Sequence, residues 1–284
     1  MKAYILNEFG GVNNLLLKEI NRPKIVEREV LIEVKAISIN PVDVRTRAGS
    51  AMAEFLTKEM PLILGWDISG IVVEVGKQVS KFKTGDAVFG MVNFLGHGKG
   101  YAEYVAASEN HITKKPENIS FEEAATATLA ALTAWQFLIN DAKIKKGDKV
   151  LVLAASGGVG HFAVQIAKYF GAYVIGLASS KNKDFVLSLG ADEYISYDKQ
   201  EVTELVNDVD IVIDPFAKEN LEKSLGLTKN GGVIISLLPM IGEEIKEKAK
   251  EKNVKISYSL VNSNGEDMKQ LAELIENGII KPHV

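Results

Sequence analysis

The feature that most restricts this chain is a glycine turn set between an unbroken apolar run and an amphipathic stretch. Residues 149–154 form an apolar run without polar alternation, the pattern of a strand covered on both faces. Ala155, Ser156, Gly157, Gly158, Val159 and Gly160 follow. Apolar residues then recur at Phe162, Ala163, Ile166, Ala167 and Phe170, a helical period, and Gly171 stops it. The first N–H groups of such a helix have no intrahelical partner and sit at the positive end of its dipole, so they attract an anion. Gly157 and Gly158, lacking a Cβ, let a pyrophosphate reach the backbone, and Gly160 lets the helix pack closely on the strand. Ala155 stands where the usual fingerprint has its first glycine. A dinucleotide is expected on this turn, held by Ser156, Gly157, Gly158, Val159 and Gly160. A simple tight turn is the plainer alternative.

The end of the second strand selects the dinucleotide. An NAD site places Asp or Glu about 20 residues past the turn to hold the ribose 2′-OH. Here Ser179, Ser180, Lys181, Asn182 and Lys183 stand there, and the next carboxylate along the chain is Asp184. Two hydroxyls and two ammonium groups predict NADP(H), with its 2′-phosphate on Ser179, Ser180, Lys181 and Lys183. A polar loop with solvated lysines is the plainer reading.

The rest of the chain supplies the fold class. Runs at 173–177, 210–213 and 232–237 repeat the buried-strand pattern, with helical material at 183–189 and 219–225 between them. That alternation predicts an α/β fold with a doubly wound parallel sheet. The first 115 residues read differently. Short Val- and Ile-rich runs at 30–36, 68–75 and 87–92 are punctuated by Gly, Pro and Asp, which suggests an irregular β domain or partial barrel. The character changes near Pro116. Ser120 and Glu123 form a capping box, and a helix is expected from there to about Asn140. The charged run 243–252 reads as a solvated helix face.

Composition removes several function classes. The chain of 284 residues has a formal net charge of −4, which argues against a nucleic-acid or anionic-membrane partner. No cysteine is present, so disulfides, thiolate catalysis and cysteine-bound zinc are excluded. The four histidines show no ligand spacing. The N-terminal stretch does not read as a signal peptide, and no apolar run approaches the roughly 18 residues of a membrane span. A cytoplasmic enzyme is the expectation.

An ordered set of landmarks accompanies the glycine turn. These are Ile39-Asn40-Pro41-Val42-Asp43 with Arg47 and Gly49, Leu64-Gly65-Trp66-Asp67-Ile68-Ser69-Gly70, Val75-Gly76, and Gly85-Asp86-Ala87-Val88. Gly100-Tyr101-Ala102-Glu103-Tyr104-Val105, Leu132-Thr133-Ala134-Trp135 and Gly190-Ala191-Asp192 complete it. With these the chain resembles the medium-chain dehydrogenase/reductase superfamily, and within it the zinc-free quinone oxidoreductase branch. The resemblance implies a GroES-like catalytic domain over 1–116, a Rossmann NADP(H)-binding domain over 117–262, and a return segment over 263–284. It also implies roughly one more helix and strand after Val284. Where the alcohol dehydrogenase branch has its zinc-ligand Cys this chain has Asn40, and where that branch has Gly-His-Glu it has Gly65-Trp66-Asp67. A zinc-free site is therefore expected.

The same resemblance implies hydride transfer from NADPH to a quinone or similar conjugated carbonyl. The alternatives are an enoyl-thioester or alkenal double-bond reductase, and a dinucleotide-binding protein without catalysis. A homodimer is suggested by resemblance alone. Asn40 is the candidate for holding the nicotinamide ribose or polarising a substrate oxygen; an Asn-Pro turn is its bland reading. Arg47 is a candidate for orienting the cofactor or an anionic intermediate, and Tyr101 or Tyr104 for donating a proton. Thr128, Tyr197, Ser236, Leu237 and Leu238 are further candidate cofactor contacts. Phe94 and His97 are candidates for lining the acceptor pocket. The branch's tyrosine two residues after the Asp of Asn-Pro-Val-Asp is Arg45 here, so its substrate contacts do not transfer directly.

Overall fold

The computed structural model describes residues 1–216, 219–239 and 241–284. The chain forms two compact units, Met1–Leu132 with Asn262–Val284, and Thr133–Val261. The chain thus divides at Leu132, although its composition changes at Pro116. The reason is that the first helical turns after Pro116 pack on strands of the first unit, where the Ser69 hydroxyl donates to Phe121 O at 2.5 Å.

The first unit begins with an antiparallel hairpin, β1 (Lys2–Leu6) and β2 (Leu15–Glu19). Next come β3 (Glu29–Ile37), α1 (Pro41–Arg47), α2 (Ala53–Leu56), β4 (Asp67–Val75), β5 (Ala87–Met91), β6 (Tyr104–Ser108) and β7 (Thr113–Lys114). These strands make a five-stranded antiparallel sheet in the order β6-β3-β4-β5-β7. Their inward residues Val30, Ile32, Ile68, Val72, Val88 and Val105 form the core, as alternating apolar positions on one sheet face should. Short bridges at Ala3–Ala102 and Leu6–Leu62 tie β1 to later loops.

The helix expected from Ser120 to Asn140 is divided. Ser120 caps α3 (Phe121–Thr126) as predicted, with Glu123 N–H donating to Ser120 Oγ at 3.1 Å and Ser120 N–H donating to Glu123 Oε2 at 2.7 Å. The chain leaves helical geometry at Ala127 and resumes as α4 (Leu129–Gln136), followed by a π turn over Phe137–Asp141. The break has a tertiary cause. Asp67, distant in sequence, accepts the Leu129 N–H at 3.0 Å and so caps a new helix.

The second unit contains β8 (Lys149–Leu153), α5 (Gly158–Tyr169), β9 (Tyr173–Ala178), α6 (Lys183–Ser188), β10 (Glu193–Ser196), α7 (Val202–Leu205), β11 (Val209–Asp214), α8 (Glu219–Leu227), β12 (Thr228–Ser236), α9 (Glu243–Glu251) and β13 (Lys255–Tyr258). All six strands are parallel, in the order β10-β9-β8-β11-β12-β13. Chain order reverses beside β8, so the switch point lies at its carboxyl end. Leu151, Leu153, Ile175, Val212, Leu221 and Ile234 share one core. α9 carries the charged run on its solvent face and buries Ala249. The chain then returns to the first unit as α10 (Gly265–Glu276), which packs against β7. No described helix is long and apolar enough to cross a membrane.

Candidate functional site

The glycine turn has the geometry its sequence requires. Gly157 is extended (φ −83°, ψ 177°) and caps α5, whose first intrahelical bond runs from His161 N–H to Gly157 O at 3.0 Å. The N–H groups of Gly158, Val159 and Gly160 precede that bond and are the free donors of the helix start. A Cβ on Gly160 would lie 2.1 Å from Ala154 O, so only glycine permits this helix–turn approach. A Cβ on Gly157 would meet only Ala154, at 3.2 Å and beyond, so that position faces space rather than core. Ala155, the departure from the fingerprint, is fully buried, and the room for it is made by Gly176 in the neighbouring strand.

A cavity of about 520 Å³ opens at the carboxyl ends of β8, β9 and β11, at the switch point. Ser156 and Gly157 form its turn side, Ser179 and Asn182 its second-strand side, and Tyr197 and Phe216 its outer walls. Asn182 joins two of these sides: its Nδ2 donates to Ser156 Oγ at 2.9 Å and to Ser179 Oγ at 3.1 Å. Tyr194 donates its hydroxyl to Ser179 O at 2.6 Å and fixes the backbone there. The donor set, the Cβ-free cradle and a partly apolar cavity fit a dinucleotide.

The four residues expected to hold a 2′-phosphate are not alike. Lys181 and Lys183 are exposed, and among the described residues neither is paired with a carboxylate. Ser180 is committed elsewhere: its N–H donates to Asp198 Oδ1 at 2.8 Å and its Oγ to Asp198 Oδ2 at 2.7 Å. A carboxylate therefore does stand at the second strand's end. It comes from just beyond β10, which pairs in parallel with β9 and places Ser196 beside Ala178.

A second polar cluster lies wholly in the first unit. Asn40 precedes α1, and Pro41 opens the helix where a missing N–H costs nothing. Asp43 Oδ2 accepts the Asn40 N–H at 2.7 Å. The Asn40 side chain donates Nδ2 to Asp67 Oδ2 at 2.7 Å. Asp43 and Asp67 are 2% and 1% exposed. Burial raises Asp43 to about 6, against hydrogen bonds led by the Asn40 N–H. Burial raises Asp67 to about 7, with the Asp43 charge adding to the rise and the neighbouring polar side chains of Thr128 and Asn40 opposing it. Burial and then the two carboxylates push the Tyr101 hydroxyl above its ordinary range. That hydroxyl faces Asp43, whose Oδ1 is buried without a hydrogen bond of regular geometry. Tyr101 therefore retains its proton, and its ring packs over Gly65, where a Cβ would lie 2.3 Å from Tyr101 Cδ1.

The remaining sequence candidates have definite places. Arg47 donates to Gly10 O at 2.6 Å and ties down the segment after β1. Thr128 is fully buried and donates to Ala125 O at 2.9 Å. Tyr104 accepts from Arg22 at 2.9 Å. Phe94 meets Trp66 edge-on at 5.3 Å. His97 accepts the Ile63 N–H on Nε2 at 2.8 Å, which turns its Nδ1 toward Glu59 at 3.2 Å. Ser236 is buried and bonds Leu238 O at 2.8 Å, while Leu237 N–H donates to Asp214 O at 2.9 Å. The structure thus joins Asn40, Tyr101 and Thr128 around Asp67 and Asp43, and joins Ser156, Gly157, Ser179 and Tyr197 around the cavity. Asn182, Asp198 and Asp67 were not singled out from sequence. Asn182 stands inside the quoted loop, but only pairing of strand ends could have brought in Asp198.

Two family models match the chain: the alcohol dehydrogenase GroES-like domain over residues 26–117, and the zinc-binding dehydrogenase over residues 158–277. The chain is 35% identical over 292 residues to the chloroplastic NADPH-dependent alkenal/one oxidoreductase of Arabidopsis thaliana, covering 100% of this chain and 72% of that relative. It is 35% identical to the quinone oxidoreductase of Homo sapiens, covering 98% of this chain and 86% of that one. The solved quinone oxidoreductase of Coxiella burnetii superposes with a TM-score of 0.92 at 37% identity, covering all of this chain and 90% of that structure.

Proposed function

The chain belongs to the medium-chain dehydrogenase/reductase family, in its quinone oxidoreductase branch, and on that premise we propose that it transfers hydride from NADPH to a quinone or another conjugated carbonyl, without zinc. The observation that carries the reading is the glycine turn opening into the switch-point cavity. When bound, the reduced nicotinamide supplies the hydride; a conjugated acceptor takes it together with one proton from solvent. The N–H groups of Gly158, Val159 and Gly160 hold the pyrophosphate. Ser156 and Ser179, set by Asn182, shape the adenosine side, with Tyr197 closing it and Lys181 and Lys183 supplying cations for a 2′-phosphate.

Asn40 orients the reacting end in this proposal. Its Nδ2 is given to Asp67, which fixes the orientation of the carboxamide. Tyr101 donates toward Asp43 and keeps the cluster in register, and Arg47 anchors the preceding segment through Gly10. The zinc-free reading is supported by Asn40 and Trp66 standing where the zinc-dependent branch has ligands, and the Trp66 indole N–H donates to Gly96 O at 2.8 Å. Among the described residues no group of three His, Cys, Asp or Glu is placed to hold a metal.

A second reading shares the fold and the donor. The alkenal/one oxidoreductase relative favours an open-chain enone as acceptor. NADPH oxidation screened over quinones, alkenals and enoyl thioesters decides between them. Turnover of quinones supports the first reading, turnover of alkenals or enoyl thioesters alone, with reduction of their carbon–carbon double bond, supports the second, and no turnover with any acceptor overturns both.

A further inference from the structure

The loop after β9 offers cations to an anionic ligand, yet its best-directed donors already hold an anion. The Ser180 N–H, the first of the 3-10 turn Ser180–Asn182, donates to Asp198 Oδ1 at 2.8 Å. The Ser180 hydroxyl donates to Asp198 Oδ2 at 2.7 Å, and the Ser196 hydroxyl donates to Asp198 Oδ1 at 2.6 Å. Three donors from two adjacent strand ends converge on one carboxylate, as they would on a phosphate oxygen pair. Those hydrogen bonds hold the Asp198 carboxyl well below the usual carboxylate range, with the Ser196 hydroxyl the leading cause. The charge is therefore present at every working pH. Tyr197, the residue before it, lines the cavity, as does Ser179, the residue before Ser180. Asp198 thus sits at the edge of the ribose side of the site.

We propose that Asp198 is the specificity-determining residue for the nucleotide: it occupies the Ser180 donors that a 2′-phosphate would use and sets its own charge against Lys181 and Lys183. The inference rests on the reading of the turn and cavity as a dinucleotide site. It predicts a chain that accepts NADPH but discriminates weakly, because the two lysines attract the 2′-phosphate while the carboxylate repels it. A 2′-hydroxyl is neutral and can donate to the same carboxylate, so NADH is tolerated.

The test is direct binding to the full chain without acceptor, read as the fluorescence of NADPH and of NADH in separate titrations. The unmodified protein should prefer NADPH by less than about tenfold, below the ratio expected of one full charge-assisted bond. Asp198→Asn keeps an acceptor for Ser180 and removes the charge. It should tighten NADPH by roughly three- to tenfold, an effect that added salt diminishes, and leave NADH within about twofold. Asp198→Ala, which also frees the Ser180 donors, should widen the ratio at least as far. A role confined to holding the loop would weaken both nucleotides together in Asp198→Ala, and that result overturns the proposal, as does an unmoved ratio in both variants. Failure of both nucleotides to bind the unmodified chain overturns the dinucleotide reading itself, whereas binding of only one leaves that reading standing and overturns the proposal, which separates the two failures.

Discussion

Two glycines three residues apart do different jobs, and substitution should separate them. Gly157 faces space, so Gly157→Val places its methyls where a pyrophosphate must lie. NADPH affinity should fall tenfold or more, about 1.4 kcal/mol, with little loss of stability. Gly160 faces Ala154 O, so Gly160→Ala should destabilise the fold by roughly 1–3 kcal/mol. Denaturant melts and nucleotide titrations of both variants check the pair; equal binding loss without unfolding in Gly160→Ala would contradict it. Asp67 gives a pH-dependent counterpart. Its folded value is raised from 3.8 to about 7, so the folded state binds the extra proton. The associated stability is fully present below the ordinary value and is lost as pH rises through about 7. Asp67→Asn removes this titration, so the stability of the parent relative to the variant should decline between pH 5 and pH 8. A difference that stays flat over that range would show that Asp67 is ionised throughout.

At the scale of elements, legibility follows the range of the forces involved. β8, β9, β11 and β12 were readable because parallel strands covered on both faces are almost wholly apolar. The α3 cap was readable because Ser120 and Glu123 are near neighbours. The division between α3 and α4 was not, since its cause is the carboxylate of Asp67, far away along the chain. The cofactor side shows the same limit. Pattern and spacing found the turn and the polar loop after β9. Which hydroxyls remain available there depends on β10 lying beside β9, and strand order is not written in local periodicity. Asn182 was passed over for a related reason: a side chain between two lysines reads as solvated until Ser156 and Ser179 are seen on either side of it.

At the scale of the whole chain, the absence of cysteine and the identities of Asn40 and Trp66 predict a protein that purifies without stoichiometric zinc. Elemental analysis checks this, and activity abolished by a chelator and restored by zinc would contradict it. The order of the chain through its two units carries one more consequence. The second unit is a single continuous segment, whereas the first takes in α10 from beyond it. That return is specific: Gly265 N–H donates to Asn110 O at 2.6 Å, and Asn118 Nδ2 donates to Ile275 O at 3.1 Å. Closing these contacts means bridging a very long loop of sequence, and contacts of high sequence separation form slowly. On the ribosome the parallel sheet can be assembled before α10 has joined the amino-terminal strands. Pulse-labelling by hydrogen exchange during refolding should protect the amides of β8, β9 and β11 before those of α10 and β7. Simultaneous protection of both sets would mean that the two units fold as one cooperative step.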